Sequence, residues 1–145
     1  METSSEREKA GHRAIRVIVA DDHNKMHDMV DRMLGPDFDV VLGVSNGLEL
    51  IEEVERANPD LLVVDVSMPR LNGIKAVERL RAAGQDAPAV MLSGVTDPEV
   101  VADALKAGAS GYVLKTRAAL DLKLAAEAAL RKEPYLSRGV ASAAD

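Results

Sequence analysis

The stretch PDLLVVDVSMPRLNG, residues 59–73, contains a tension that the rest of the chain resolves. Leu61, Leu62, Val63 and Val64 run on without a polar interruption, between Pro59 and the turn-forming residues Ser67, Pro69 and Gly73. An apolar run of that length between turn signals reads as a strand buried on both faces, the kind found in parallel sheets covered by helices. Yet the run ends on a carboxylate, Asp65, and a charge at the end of a doubly buried strand needs a reason.

Working outward, strands and helices alternate. IRVIVAD (15–21) is a β-branched run ending in acid. It leads into a helical pattern that carries Met26, Met29, Val30, Met33 and Leu34 and stops at Gly35-Pro36. FDVVLGV (38–44) is the second strand, and the helix after it puts Leu48, Ile51 and Val54 on one face. Residues 60–65 form the third strand, with a helix over 73–83. PAVMLS (88–93) is the fourth, followed by Asp97-Pro98 as cap and first helical residue and by Gly108 as the stop. GYVLK (111–115) is the fifth, and the last helix spans 117–132. Strands joined by single helices lie parallel. The prediction is a doubly wound five-stranded parallel α/β sheet, flavodoxin-like, (βα)5, with order 2-1-3-4-5.

Composition bounds the function. A chain of 145 residues forms one domain with one core. Aromatic residues make up 2%, so Val, Leu, Ile, Met and Ala build that core. There is no cysteine, which excludes disulfides and thiolate metal sites and fits a reducing, cytoplasmic setting. A net charge of −6 argues against nucleic-acid binding by this chain. No apolar run reaches the roughly 18 residues of a membrane span. Residues 1–14 read as a disordered lead-in, 15–133 as the folded domain and 134–145 as a tail or linker.

In open parallel sheets, function gathers at the carboxyl ends of the strands, beside the point where the winding reverses. Strand one ends in Asp21-Asp22, strand three in Asp65, strand four in Ser93 and strand five in Lys115. Any one of these could be a helix cap. Together they bring three carboxylates, a hydroxyl and an ammonium to one edge. Clustered carboxylates repel, and a hard dication such as Mg²⁺ neutralises them. A carboxylate can also attack phosphorus, with Lys115 and Ser93 meeting the phosphoryl oxygens. Asp65, central in the sheet, is the candidate nucleophile.

The motifs VIVADDH around Asp21-Asp22, LLVVDVSMPRLNG around Asp65, VMLSG around Ser93 and AGASGYVLK around Tyr112 and Lys115 resemble those of the receiver domain of two-component response regulators, over about residues 15–132. The wording of GYVLK and EPYLS is closest to regulators with a LuxR-type helix-turn-helix output. The resemblance implies a phosphoacceptor signalling domain that assists its own phosphorylation and dephosphorylation rather than an enzyme. Asp65 would accept a phosphoryl group from a sensor histidine kinase. Asp21, Asp22, Asp65 and the Ser67 carbonyl would hold Mg²⁺. Ser93, Gly94 and Lys115 would bind the phosphoryl group, and Ser93 with Tyr112 would form the switch. That switch would reshape the face of the fourth helix, fifth strand and fifth helix, which controls an output domain or partner and serves a phosphorylation-dependent homodimer. Ser67 and Val95 would tune how long the phosphoryl group survives.

No helix-turn-helix follows Lys132, so the expectation is either a receiver from a longer regulator or a stand-alone phosphoryl relay or binding module. Thr116 stands where many receivers have proline. A flavodoxin-type carrier would need a phosphate loop where the acidic ADDHNKM stands. A haloacid-dehalogenase-type phosphatase would need an acid where Ser67 stands. His23 and His27, four apart, read as surface histidines rather than a metal pair, and the three helix-one methionines as core.

Overall fold

The computed structural model describes residues 13–140. Residues 1–12 of the lead-in, His12 included, and residues 141–145 lie outside the described residues, while Ala14, read as part of the lead-in, is buried. The strands are β1 (Ile15–Ala20), β2 (Phe38–Val44), β3 (Leu61–Asp65), β4 (Ala89–Ser93), β5 (Gly111–Leu114) and β6 (Tyr135–Leu136). The helices are α1 (Asn24–Leu34), α2 (Gly47–Ala57), α3 (Gly73–Ala82), α4 (Pro98–Ala107) and α5 (Ala118–Leu130), with a 3-10 turn over Lys115–Arg117. All strands pair in parallel, in the order β2-β1-β3-β4-β5-β6. The expected order 2-1-3-4-5 is therefore present, extended by one short edge strand. Among the described residues, no helix is long and apolar enough to cross a membrane.

The doubly buried strands account for the layering. Along β3, Leu62 and Val64 enter one core with Ile18, Leu50, Val54, Ala76, Leu80, Val101 and Tyr112, beneath α2, α3 and α4. Leu61 and Val63 enter the other with Val17, Val30, Leu34, Leu92, Val113, Leu122 and Ala126, beneath α1 and α5. Successive side chains of a strand point to opposite faces, so one unbroken apolar run feeds both cores.

The helix ends follow local chemistry. Asn46 caps α2 by accepting from the Glu49 amide at 3.0 Å, and its Nδ2 also donates to the Glu49 side chain at Oε1, 2.6 Å away. Asn72 caps α3 through the Lys75 amide at 2.9 Å. Asp97 caps α4 ahead of Pro98, and Gly108 ends it at φ 111°.

Three expectations need correction. Leu48 does not face the core: it is 44% exposed, while Leu50 and Val54 are buried and Ile51 is half-buried. The buried stripe of α2 passes through Gly47, Leu50 and Val54, and a residue two places from Leu50 faces away from it. On α1 the closed core positions are Val30 and Leu34; Met26 and Met33 pack on that core half-buried, and Met29 is half-buried outside it. Finally, β6 lies in the segment read as a tail. Its two residues pair with Gly111 and Tyr112, and Leu136 and Val140 pack on the α2-α3-α4 core.

Candidate functional site

The reversal of winding between β1 and β3 opens the sheet at its carboxyl end, and the loops there carry the polar groups. Asp21 directly follows β1 and is 1% exposed, Asp65 is the last residue of β3 at 4%, and Asp22 is exposed. One donor atom from each of Asp21, Asp22, His23 and Asp65 falls within a cluster no wider than 4.8 Å. Lys115 begins the turn after β5, and its Nζ lies 3.2 Å from both Asp21 Oδ2 and Asp65 Oδ2.

Both oxygens of Asp65 are engaged. Oδ1 accepts the Ser67 amide at 3.1 Å and Oδ2 accepts from Lys115 Nζ at 3.2 Å. Burial raises the Asp65 carboxyl above the usual range, and the Asp21 charge adds to this against the Ser67 amide and Lys115. Burial presses the other way on Lys115, but the Asp65 and Asp21 charges prevail and hold its ammonium above the ordinary lysine value. The cation is thus firmly protonated between the two buried carboxylates.

Asp21 Oδ1 accepts the His23 amide at 2.8 Å. Its Oδ2 is buried and is held only by the Lys115 ammonium at 3.2 Å, with no well-directed hydrogen bond, so acceptor capacity remains inside the cluster. One ammonium against three carboxylates also leaves negative charge over. Buried oxygen donors with spare acceptor capacity suit a hard dication, and the residues present therefore fit Mg²⁺.

The remaining residues line the rim. Ser93, at 1% exposure, ends β4 and its Oγ accepts the Val95 amide at 2.9 Å. Gly94 is exposed, with nothing within 4 Å of where a Cβ would stand. Ser67 is exposed. Tyr112 is turned inward and fully buried, and its hydroxyl donates to the Val95 carbonyl at 2.7 Å. Burial raises the Tyr112 phenol above its ordinary value.

Two features escape the sequence reading. His23 is exposed at the N-cap of α1, but its Nδ1 sits 3.1 Å from Asp21 Oδ1 and 3.3 Å from Asp22 Oδ1, at the edge of the carboxylate cluster. Direct succession to Asp21-Asp22 was the available signal. The second is Asp121, which is 4% exposed within α5 and takes hydrogen bonds from Arg117, Tyr135 and Ser137.

Comparison with known proteins agrees with this geometry. A family model described as the response regulator receiver domain matches residues 17–127. The chain is 36% identical over 110 residues to the transcriptional regulatory protein DegU of Brevibacillus brevis, covering 74% of this chain and 47% of DegU. It is 35% identical over 126 residues to the nitrate/nitrite response regulator protein NarL of Escherichia coli (strain K12), covering 86% and 58%. A solved LuxR-family response regulator from Aurantimonas sp. SI85-9A1 superposes with a TM-score of 0.83 at 26% identity, over 88% of this chain and 92% of that one. The chain spans about half the length of the two curated regulators it matches.

Proposed function

The chain belongs to the response regulator receiver domain family, and on that premise we propose that Asp65 accepts a phosphoryl group from a sensor histidine kinase and that the resulting acyl phosphate switches the α4-β5-α5 face. The observation carrying this reading is the position of Lys115 Nζ, 3.2 Å from Asp65 Oδ2 and 3.2 Å from Asp21 Oδ2.

The Ser67 amide on Oδ1 fixes the rotamer of the Asp65 carboxylate toward the open end of the sheet. A carboxylate oxygen forms a bond to phosphorus while the phosphorus–nitrogen bond of the donor phosphohistidine breaks, and the leaving imidazole takes up a proton from solvent. Asp21, Asp22, Asp65 and the Ser67 carbonyl would hold Mg²⁺, which when bound offsets negative charge on the phosphoryl oxygens. Lys115 pairs with those oxygens as a permanent cation. Ser93 has a hydroxyl proton to donate to them, with the Gly94 segment beside it.

Movement of Ser93 reaches Tyr112 through one residue, because Val95 is bonded to both: its amide to Ser93 Oγ and its carbonyl to the Tyr112 hydroxyl. A shift in that loop releases the buried phenol, which is a local charge event with a packing readout. The setting is cytoplasmic and the partners are a kinase and an output domain or second copy.

Beryllofluoride with Mg²⁺ mimics a phosphoryl group on a carboxylate. Fluorine NMR of the protein is expected to show a bound species at one equivalent that Asp65→Asn abolishes without loss of fold. A bound species retained in Asp65→Asn, or none in the wild-type protein, would remove Asp65 from this role.

A further inference from the structure

The C-terminal segment is tied to the edge of β5 by a buried ion. Ser137 is 2% exposed and bonds β5 on both sides: its amide donates to the Tyr112 carbonyl at 3.0 Å, and its Oγ accepts the Leu114 amide at 3.1 Å. The Ser137 hydroxyl then donates to Asp121 Oδ2 at 2.8 Å. Tyr135 donates to Asp121 Oδ1 at 2.9 Å, and Arg117 Nε to Oδ2 at 2.9 Å. The Val140 amide closes a turn back onto the Ser137 carbonyl at 3.1 Å.

With the segment in place, the Asp121 carboxylate is buried but receives three donors. With it lifted, the same carboxylate exchanges the Ser137 and Tyr135 hydrogen bonds for water, at a real cost but a smaller one than the full penalty of an unpaired buried ion. The strand itself contributes only two paired residues. Beyond those pairs it is held by the Ser137 and Tyr135 bonds and by Leu136 and Val140 on the core, so its local stability turns on the Asp121 latch.

Its anchors are also next to the phosphoacceptor's cation. Leu114, whose amide holds Ser137, immediately precedes Lys115, whose ammonium bridges Asp21 and Asp65. Arg117, which holds Asp121, ends the same 3-10 turn that Lys115 begins. When Lys115 turns to a phosphoryl group on Asp65 its bridge changes, and the two anchors flank it, Leu114 at the end of β5 and Arg117 at the end of its turn.

We propose that residues 135–140 form a strap latched on Asp121, and that phosphorylation of Asp65 opens it through Lys115. This rests on the reading of Asp65 as phosphoacceptor and adds the element that carries the signal off the domain. Opening uncovers the amides and carbonyls of the β5 edge.

The test is hydrogen–deuterium exchange of the full chain with Mg²⁺, with and without beryllofluoride. Exchange of the Ser137 and Val140 amides is expected to rise about five-fold or more, the lower end of common coupling strengths. Coupling is reciprocal, so Ser137→Ala, and Tyr135→Phe, which removes only the hydroxyl on Asp121, should bind beryllofluoride more tightly, while exposed Arg138→Ala should not. Unchanged or slower exchange in the beryllofluoride complex, or wild-type affinity in both strap variants, overturns the strap and leaves Asp65 in place. Failure of the wild-type protein to bind beryllofluoride removes the reading of Asp65 and the strap together.

Discussion

Asp65 owes its position partly to a residue eight places on. Gly73 opens α3 directly against the end of β3, where a Cβ would overlap the Asp65 carbonyl and come within 2.8 Å of Val64 Cγ1. Alanine would gain at most about 1 kcal/mol in helix propensity. Overpacking against a strand backbone costs about 3 kcal/mol, so the clash wins. Gly73→Ala should therefore lose about 2 kcal/mol in urea unfolding and phosphorylate more slowly at Asp65; a stability within about 0.5 kcal/mol of wild type would count against it. At this scale the sequence was most readable where a residue type was out of place, as with the charge closing LLVVD. It was least readable where a residue looked ordinary. His23 read as a surface side chain, and only the turn after β1 reveals its ring beside Asp21 and Asp22.

Among the elements, the five helices and first five strands were legible because caps and apolar runs coincide, as at Asp97-Pro98 and Gly108. β6 was not, because two residues carry no periodicity. Its partner was hidden too: Asp121 in AALDLKL looks like a solvent-facing helical acid, and its burial depends on residues 14 to 16 places later folding back. Burial tends to raise this carboxyl, but hydrogen bonds from Ser137, Arg117 and Tyr135 hold it below the usual carboxylate range. The unfolded chain therefore binds this proton more readily than the folded one, so the stabilisation is present above about pH 4 and is lost as pH falls through the folded value. Asp121→Asn should cost about 2 kcal/mol at neutral pH, with the gap to wild type narrowing below about pH 4. Urea denaturation across that range measures it, and a gap independent of pH would show that the charge is not what stabilises the segment.

Across the whole molecule, parallel winding does what no local signal can. It carries residues 21, 65, 93 and 115, distant in the chain, to one end of one sheet. The order of strands made that convergence predictable, since each run ended on a polar group and parallel strands end on the same side. What the order could not give was distance: that Lys115 reaches both Asp21 and Asp65, or that Tyr112 is held inward by Val95. The tail assignment failed at this scale as well, because residues 135–140 are placed by the edge of β5 rather than by their own pattern.

The central claim is that the charge closing the third strand is the reactive group. Intact mass spectrometry after incubation with acetyl phosphate, with and without Mg²⁺, tests it most directly. One phosphoryl adduct that requires Mg²⁺ and disappears in Asp65→Asn is the predicted result. An adduct that persists in Asp65→Asn, or a folded wild-type protein that takes none, would contradict it.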